Sequence, residues 1–177
     1  MARAVFLDRD GVLVRATVRD GKPHAPRDLS EIEIASDAVE ALTRLRRAGY
    51  LLVVVTNQPD VARGTQDRVV VEGMNAHVCA RLPIDACFTC YHDDQDACTC
   101  RKPLPGLILL AAEKHDIDPK SSFLIGDRWR DIEAGQAAGC STVLINHGYR
   151  ERAPARAPDV TVTCLKDAAA WILQNGK

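Results

Sequence analysis

Nowhere in the 177 residues does an apolar run reach the ~18–20 positions that a membrane-spanning helix needs, and that excludes a transmembrane segment. A charge excess of either sign is also missing. The 23 Lys and Arg stand against 24 Asp and Glu, whereas a nucleic-acid-binding chain shows a strong basic surplus. Met1 leads straight into a β-like run, without the charged-then-apolar leader of a secretory signal, so the expected compartment is the cytoplasm. Repeats, Gly/Ser- or Pro-rich linkers and low-complexity tracts are absent too, and residues 1–177 read as one domain, expected to be a monomer. Cysteine is not scarce. Seven are present, and in a reducing compartment an odd number suits metal ligands and buried thiols better than disulfides.

Strand-like runs recur at 4–7 (AVFL), 50–56 (YLLVVVT), 86–90 (ACFTC), 122–126 (SFLIG), 141–145 (STVLI) and 159–163 (DVTVT). Several are continuously apolar, as strands buried on both faces are. Helical periodicity separates most of them, over 36–49, 66–82, 105–116, 130–138 and 165–175. In the first, Val39, Leu42 and Leu45 are expected on one face, with Ser36 as cap and Gly49 as terminator. This alternation predicts an α/β fold, a three-layer sandwich around a mainly parallel sheet. Residues 11–35 and 90–103 read as long irregular segments, where function concentrates.

The first strand runs into FLDRDGV, and Asp8 and Asp10, two apart on extended backbone, present their carboxylates on the same side. The second long strand ends in VVTNQ, which supplies Thr56, Asn57 and Gln58. A later one ends in IGDRWRD, which supplies Asp127 and Asp131, and Lys102 follows the cysteine-rich segment. Ligands of open α/β sheets bind at the carboxyl ends of strands. Any one of these features is commonplace, since paired aspartates form turns and lone lysines are solvated. Together on one sheet edge they suit phosphoryl transfer. A carboxylate attacks phosphorus, and a divalent cation, best Mg²⁺, offsets the repulsion. A hydroxyl, an amide and an ammonium hold the phosphoryl oxygens, and a second carboxylate moves the proton.

The segment CYHDDQDACTCRKP at 90–103 places Cys90, His92, Cys98 and Cys100 in a C-x-H-x5-C-x-C pattern. Three thiolates and an imidazole form a closed tetrahedral set of the structural-zinc kind, although the spacing departs from the usual C-x2-C. Zinc would order a polar loop with little core of its own and fix the Arg101–Lys102 pair that follows. Cys79, Cys87, Cys140 and Cys164 are expected to pack as small apolar side chains.

The succession FLDRDG, VVTNQ, RKP, IGDRWRD resembles the haloacid-dehalogenase superfamily of phosphatases over nearly the whole chain. The resemblance implies Asp8 as nucleophile and Asp10 as acid/base, with Thr56 and Lys102 stabilising the phosphoryl group. It also implies Mg²⁺ held by Asp8, Asp127 and the Asp10 carbonyl, and Asp131 in the outer shell. The zinc-type loop before CRKP narrows it further. The chain is similar to the D,D-heptose-1,7-bisphosphate phosphatases and the related histidinol-phosphate phosphatases, compact enzymes without a large cap domain. That implies a small phosphorylated sugar as substrate, with removal of the 7-phosphate, and expects Asn57, Gln58 and Arg101 to contact it. Histidinol phosphate or another small phosphomonoester is the alternative, and a non-catalytic zinc-binding module is a third reading. After TNQ the chain departs from the family pattern with Pro59-Asp60, adding a negative charge beside the site. Arg15, Arg19, Lys22, His24 and Arg27 are offered either as substrate contacts or as a solvated charged loop.

Overall fold

The structure, a computed structural model, describes residues 1–176. β1 (Ala4–Leu7) lies inside a six-stranded sheet with β4 (Leu51–Asn57), β5 (Ala86–Cys90), β6 (Phe123–Gly126), β7 (Ser141–Ile145) and β8 (Val160–Val162). The spatial order is β5-β4-β1-β6-β7-β8 and every neighbouring pair is parallel. The chain thus winds outward from β1 in both directions, and the order reverses between β1 and β6. In such sheets a crevice opens at that switch point, beyond the carboxyl ends of the strands.

Side chains alternate across the sheet. Val5 and Leu7 pack on one face, against α1 (Ala38–Arg47), the end of α2 (Arg68–Arg81) and α5 (Leu165–Asn175). Ala4 and Phe6 pack on the other, against α3 (Gly106–Lys114) and α4 (Trp129–Ala138). β1 is buried throughout, which is why its sequence carries no polar alternation. No described helix is long and apolar enough to cross a membrane.

The expected strands and helices all form, within a residue or two of their expected ends, but two local expectations change. In α1 the buried set is Ala38, Ala41, Leu42 and Leu45, and Val39 is exposed. Small alanines at i and i+3 let the helix approach the sheet, so the buried stripe is rotated by one position from the one the larger side chains suggest. The residue before α1 is Asp37, not Ser36, and its carboxylate accepts from Lys166 N–H at 2.8 Å, in the first turn of α5.

The second change lies in residues 11–35. A two-stranded hairpin, β2 (Thr17–Arg19) and β3 (Lys22–His24), and a short 3₁₀ turn at Leu29–Glu31 interrupt what was expected to be irregular. Asp20 and Gly21 have φ of 52° and 74°, as a type I′ turn requires. The insertion is a hairpin rather than a domain, and among the described residues no large cap covers the carboxyl edge of the sheet.

Candidate active site

Parallel strands deliver their last residues to one edge. Asp8 follows β1, with its N–H donating to the Ile125 carbonyl at 3.0 Å, Thr56 and Asn57 close β4, and Asp127 follows β6. Gly11, at φ 88°, allows the chain to turn back beside this edge, and a Cβ there would overlap the Asp127 carboxylate.

Lys102 sits at the centre. Its buried ammonium donates to Asp8 Oδ1 at 2.8 Å and to the Val55 carbonyl at 2.8 Å, and lies 2.6 Å from Asp131 Oδ1. The backbone of Lys102 is held by the Asn57 amide, which donates to its carbonyl at 3.0 Å and accepts from its N–H at 3.1 Å. Asp131 also accepts from Arg128 N–H at 3.0 Å, so one carboxylate caps α4 and anchors the lysine.

Asp8, Asp127 and Asp131 offer carboxylate oxygens that all lie within 4.8 Å of one another. One ammonium cannot balance three buried carboxylates. Burial pushes the Asp8 carboxyl up to about 6, against the pull of Lys102, and the charges on Asp131 and Asp10 add to the rise. Burial, with Asp131 and Asp8 beside it, raises Asp127 well above the usual range. Burial alone would lower Lys102, but Asp131 and Asp8 outweigh it and hold the lysine protonated. Asp127 Oδ2 accepts from the Tyr149 hydroxyl at 2.8 Å, while Oδ1 is the one buried side-chain polar atom among the described residues without a partner. Such an orphan costs about 1–3 kcal/mol. A hard divalent cation bound by these oxygens answers both the surplus charge and the orphaned atom.

Asp10 lines the same pocket but has other partners. Its carboxylate accepts two bonds of 2.8 Å from Arg9, whose fully buried guanidinium also donates to Asn75 Oδ1 at 2.8 Å, and a third from Gln58 Nε2 at 2.9 Å. The Asp10 carboxylate is thus committed to Arg9 and Gln58 and is not part of the Asp8, Asp127 and Asp131 cluster. Gln58 Nε2 also donates to Thr56 Oγ1 at 3.0 Å.

Above these groups opens a pocket of about 280 Å³, lined by Asp8, Asp10, Lys102, Asp127 and Asp131 and, farther out, by Lys22, His24, Asp60, Arg63 and Arg130. Two expected substrate contacts stand outside its lining. Gln58 is spent on Asp10 and Thr56. Arg101 is buried, with Nε donating to Asp94 Oδ1 at 2.8 Å and Nη1 to the His92 carbonyl at 3.2 Å. Arg130 lines the pocket instead, together with Arg63 and Arg128, and is held on the same Asp94 at 2.8 and 3.1 Å. Asn57 lines it with its amide committed to the Lys102 backbone. The added charge of Asp60 is met by Arg63 at 3.1 Å.

Beside the pocket, Cys90 at the end of β5 joins His92, Cys98 and Cys100 in a second cluster whose ligand atoms also lie within 4.8 Å of one another. His92 Nδ1 is 3.5 Å from Cys90 Sγ and 3.3 Å from Cys100 Sγ, and the two sulfurs are 3.1 Å apart. A disulfide needs about 2.05 Å, and all seven cysteines are free. Donors around tetrahedral zinc stand roughly 3.5–3.8 Å apart, so the cluster is close to that geometry. Burial, then the Cys100 neighbour, pushes the Cys90 thiol up to about 12. A thiophilic cation that displaces the protons relieves this crowding. Among the other cysteines only Cys140 is fully buried, and Cys79, Cys87 and Cys164 are partly exposed.

Arg9, Arg130 and Tyr149 escaped the sequence reading. Arg9 sits between the two aspartates, where strand alternation alone would turn it away from both, yet its guanidinium folds back onto the Asp10 carboxylate. Nothing local marks Tyr149, which reaches Asp127 across 22 residues.

The HAD-hydrolase-like family matches residues 99–168. A D-glycero-beta-D-manno-heptose-1,7-bisphosphate 7-phosphatase from Pasteurella multocida is 36% identical over 160 residues, 84% of each chain. One of the same description from Escherichia coli K12 is 34% identical, over 97% of this chain and 88% of the relative. Among solved structures, the D,D-heptose 1,7-bisphosphate phosphatase from B. bronchiseptica, complexed with magnesium and phosphate, superposes with a TM-score of 0.78 at 28% identity, covering 97% of this chain and 98% of that one. A HAD-like phosphatase from Mesorhizobium loti gives 0.79 at 28% identity, covering 99% and 88%.

Proposed function

From the premise that this chain belongs to the family of D-glycero-beta-D-manno-heptose-1,7-bisphosphate 7-phosphatases, within the HAD-like hydrolases, we propose that it removes the 7-phosphate of D-glycero-D-manno-heptose 1,7-bisphosphate through an aspartyl phosphate on Asp8. The enzyme is a phosphomonoester hydrolase. The observation that carries the residue-level reading is the buried triad of Asp8, Asp127 and Asp131 around one lysine, with an unpartnered oxygen on Asp127.

In this reading Asp8 attacks phosphorus and the bond to the sugar oxygen breaks. Asp10, steadied by Arg9 and Gln58, gives its proton to that oxygen. It then takes a proton from the water that attacks the aspartyl phosphate and frees Asp8. Lys102 and the Thr56 hydroxyl meet the charge that spreads over the phosphoryl oxygens. Asp131 and Asn57 keep Lys102 in place from two sides. Asp8, Asp127 and the Asp10 carbonyl would hold Mg²⁺, which when bound neutralises the charge of phosphate against carboxylate. Cys90, His92, Cys98 and Cys100 would hold zinc as a brace for the segment that carries Lys102.

The outer pocket favours an anionic substrate over a cationic one. Two of the three acidic residues of the 92–96 segment that a cationic substrate could use are already paired, Asp93 with Arg63 at 2.6 Å and Asp94 with Arg101 and Arg130 at 2.8 Å, and the third, Asp96, accepts from the Asp93 N–H at 2.7 Å. The test is phosphate release across a panel of heptose bisphosphate anomers, histidinol phosphate and simple sugar phosphates. A heptose bisphosphate is expected to give the highest kcat/KM. Histidinol phosphate ahead by tenfold, about 1.4 kcal/mol in transition-state binding, reverses the choice of substrate.

The two clusters should separate by metal. Protein purified without chelator is expected to carry one tightly held zinc per chain, because three thiolates prefer zinc and carboxylates prefer Mg²⁺. Brief EDTA treatment should abolish activity, and Mg²⁺ alone should restore it with zinc still bound. Elemental analysis that finds no zinc would end the brace.

A further inference from the structure

Most cations around the catalytic pocket already have a carboxylate. Lys102 has Asp8 and Asp131, Arg63 has Asp60 and Asp93, Arg128 has Glu151 at 2.7 Å, and Arg130 has Asp94 at 2.8 Å. Lys22 lines the same pocket and makes no ion pair or side-chain hydrogen bond with any described residue. Its cross-strand partner in the hairpin is Arg19, likewise without an acidic partner among the described residues. Like charges directly opposite on paired strands destabilise the pair. A three-residue hairpin with an exposed β2 has little burial to offset that cost.

The hairpin is nonetheless held in place. Besides its I′ turn, the Gly21 carbonyl accepts from Arg150 N–H at 2.8 Å, and the Arg150 side chain lies so close that a Cβ on Gly21 would stand 2.7 Å from its Cγ. Arg19 lines a smaller cavity of about 210 Å³ that shares His24 and Asp60 with the catalytic pocket. The two cavities thus adjoin, with Lys22 on the one that holds Asp8 and its cross-strand neighbour Arg19 on the other, and neither cation has an acidic partner among the described residues. A local rule broken without a structural gain marks a functional site.

We propose that Lys22 and Arg19 bind the second phosphate of a bisphosphate substrate whose first phosphate lies at Asp8, and so set the preference for bisphosphates. This rests on the phosphatase reading of the pocket. The two cations gain their counter-charge only when a dianion bridges them, and a guanidinium beside an ammonium suits a phosphate group. Because the contact is remote from the reacting centre and made equally before and at the transition state, its loss acts on KM more than on kcat.

The experiment compares heptose 1,7-bisphosphate with heptose 7-phosphate, the same sugar without the distal group, in the wild type, in Lys22→Met and in the Arg19→Met/Lys22→Met double variant. The kcat/KM ratio of bisphosphate to monophosphate is expected to fall about tenfold in the single variant and further in the double, chiefly through KM for the bisphosphate. Thermal unfolding of the variants should be unchanged or shifted upward, since the like-charge pair is relieved. A ratio that stays at the wild-type value overturns the proposal, and so does an equal loss on both substrates, which would place the cations at the reacting phosphate. If the wild type itself shows no preference for the bisphosphate, the substrate reading fails along with it. A wild-type preference that survives in the double variant removes this proposal alone.

Discussion

Asp8→Asn is expected to lower phosphate release at least ~1,000-fold, about 4 kcal/mol in the barrier, while leaving the fold intact. The amide keeps the shape, and its oxygen can still accept from Lys102 in place of Oδ1. It does not provide an anionic oxygen to attack phosphorus. Unfolding is a poor explanation for the loss, because the Asp8 anion is itself disfavoured: burial and the neighbouring aspartates push its carboxyl up to about 6. Removing one of three crowded negative charges should therefore leave the Mg²⁺-free protein as stable as the wild type or more so. The check pairs steady-state phosphate release with thermal unfolding in EDTA. A variant that keeps a tenth of the wild-type rate would remove Asp8 as nucleophile, since that loss is only about 1.4 kcal/mol.

Whatever rests on continuous burial or on strand ends was readable from the sequence. VVTNQ and IGDRWRD show where buried strands meet polar residues, and parallel topology carries all such ends to one edge, so Thr56, Asn57 and Asp127 could be grouped without coordinates. Side-chain partners were not readable, because they depend on rotamers and on elements far apart in sequence. Arg101 illustrates this. Its neighbour Lys102 enters the site, and two consecutive cations before a proline look equivalent, yet Arg101 turns into the zinc-type loop to meet Asp94. Arg130, from α4, reaches the pocket instead. The hairpin was missed for another reason. Its strands are three residues long and mostly exposed, so they show no hydrophobic period, and the one usable sign was the Asp20-Gly21 dipeptide between charged residues. In α1, by contrast, the pattern is present but half of it is carried by alanines, since Ala38 and Ala41, not Val39, join Leu42 and Leu45 on the buried face.

Replacing the central cation should be the most damaging change to the fold. In Lys102→Met the chain keeps a side chain of similar length but leaves Asp8 and Asp131 without their shared partner and the Val55 carbonyl without its donor. Lys102 and Asp131 are each about 3% exposed at the side chain, so solvent does little to screen the loss. Breaking a buried pair from one side costs about 3–5 kcal/mol, and here two carboxylates are stranded beside a third on Asp127. The same change removes a donor to the phosphoryl oxygens, worth about 10²–10³ in kcat. Divalent metal provides the internal control. If Asp8 and Asp127 hold Mg²⁺, the ion restores part of the missing positive charge, so Mg²⁺ should raise the unfolding midpoint of Lys102→Met more than that of the wild type. Urea unfolding of both proteins in EDTA and in Mg²⁺ measures this directly. Equal stability of variant and wild type in EDTA would show that the three carboxylates are already protonated without the lysine, and the charge-balance account of the site would have to be abandoned.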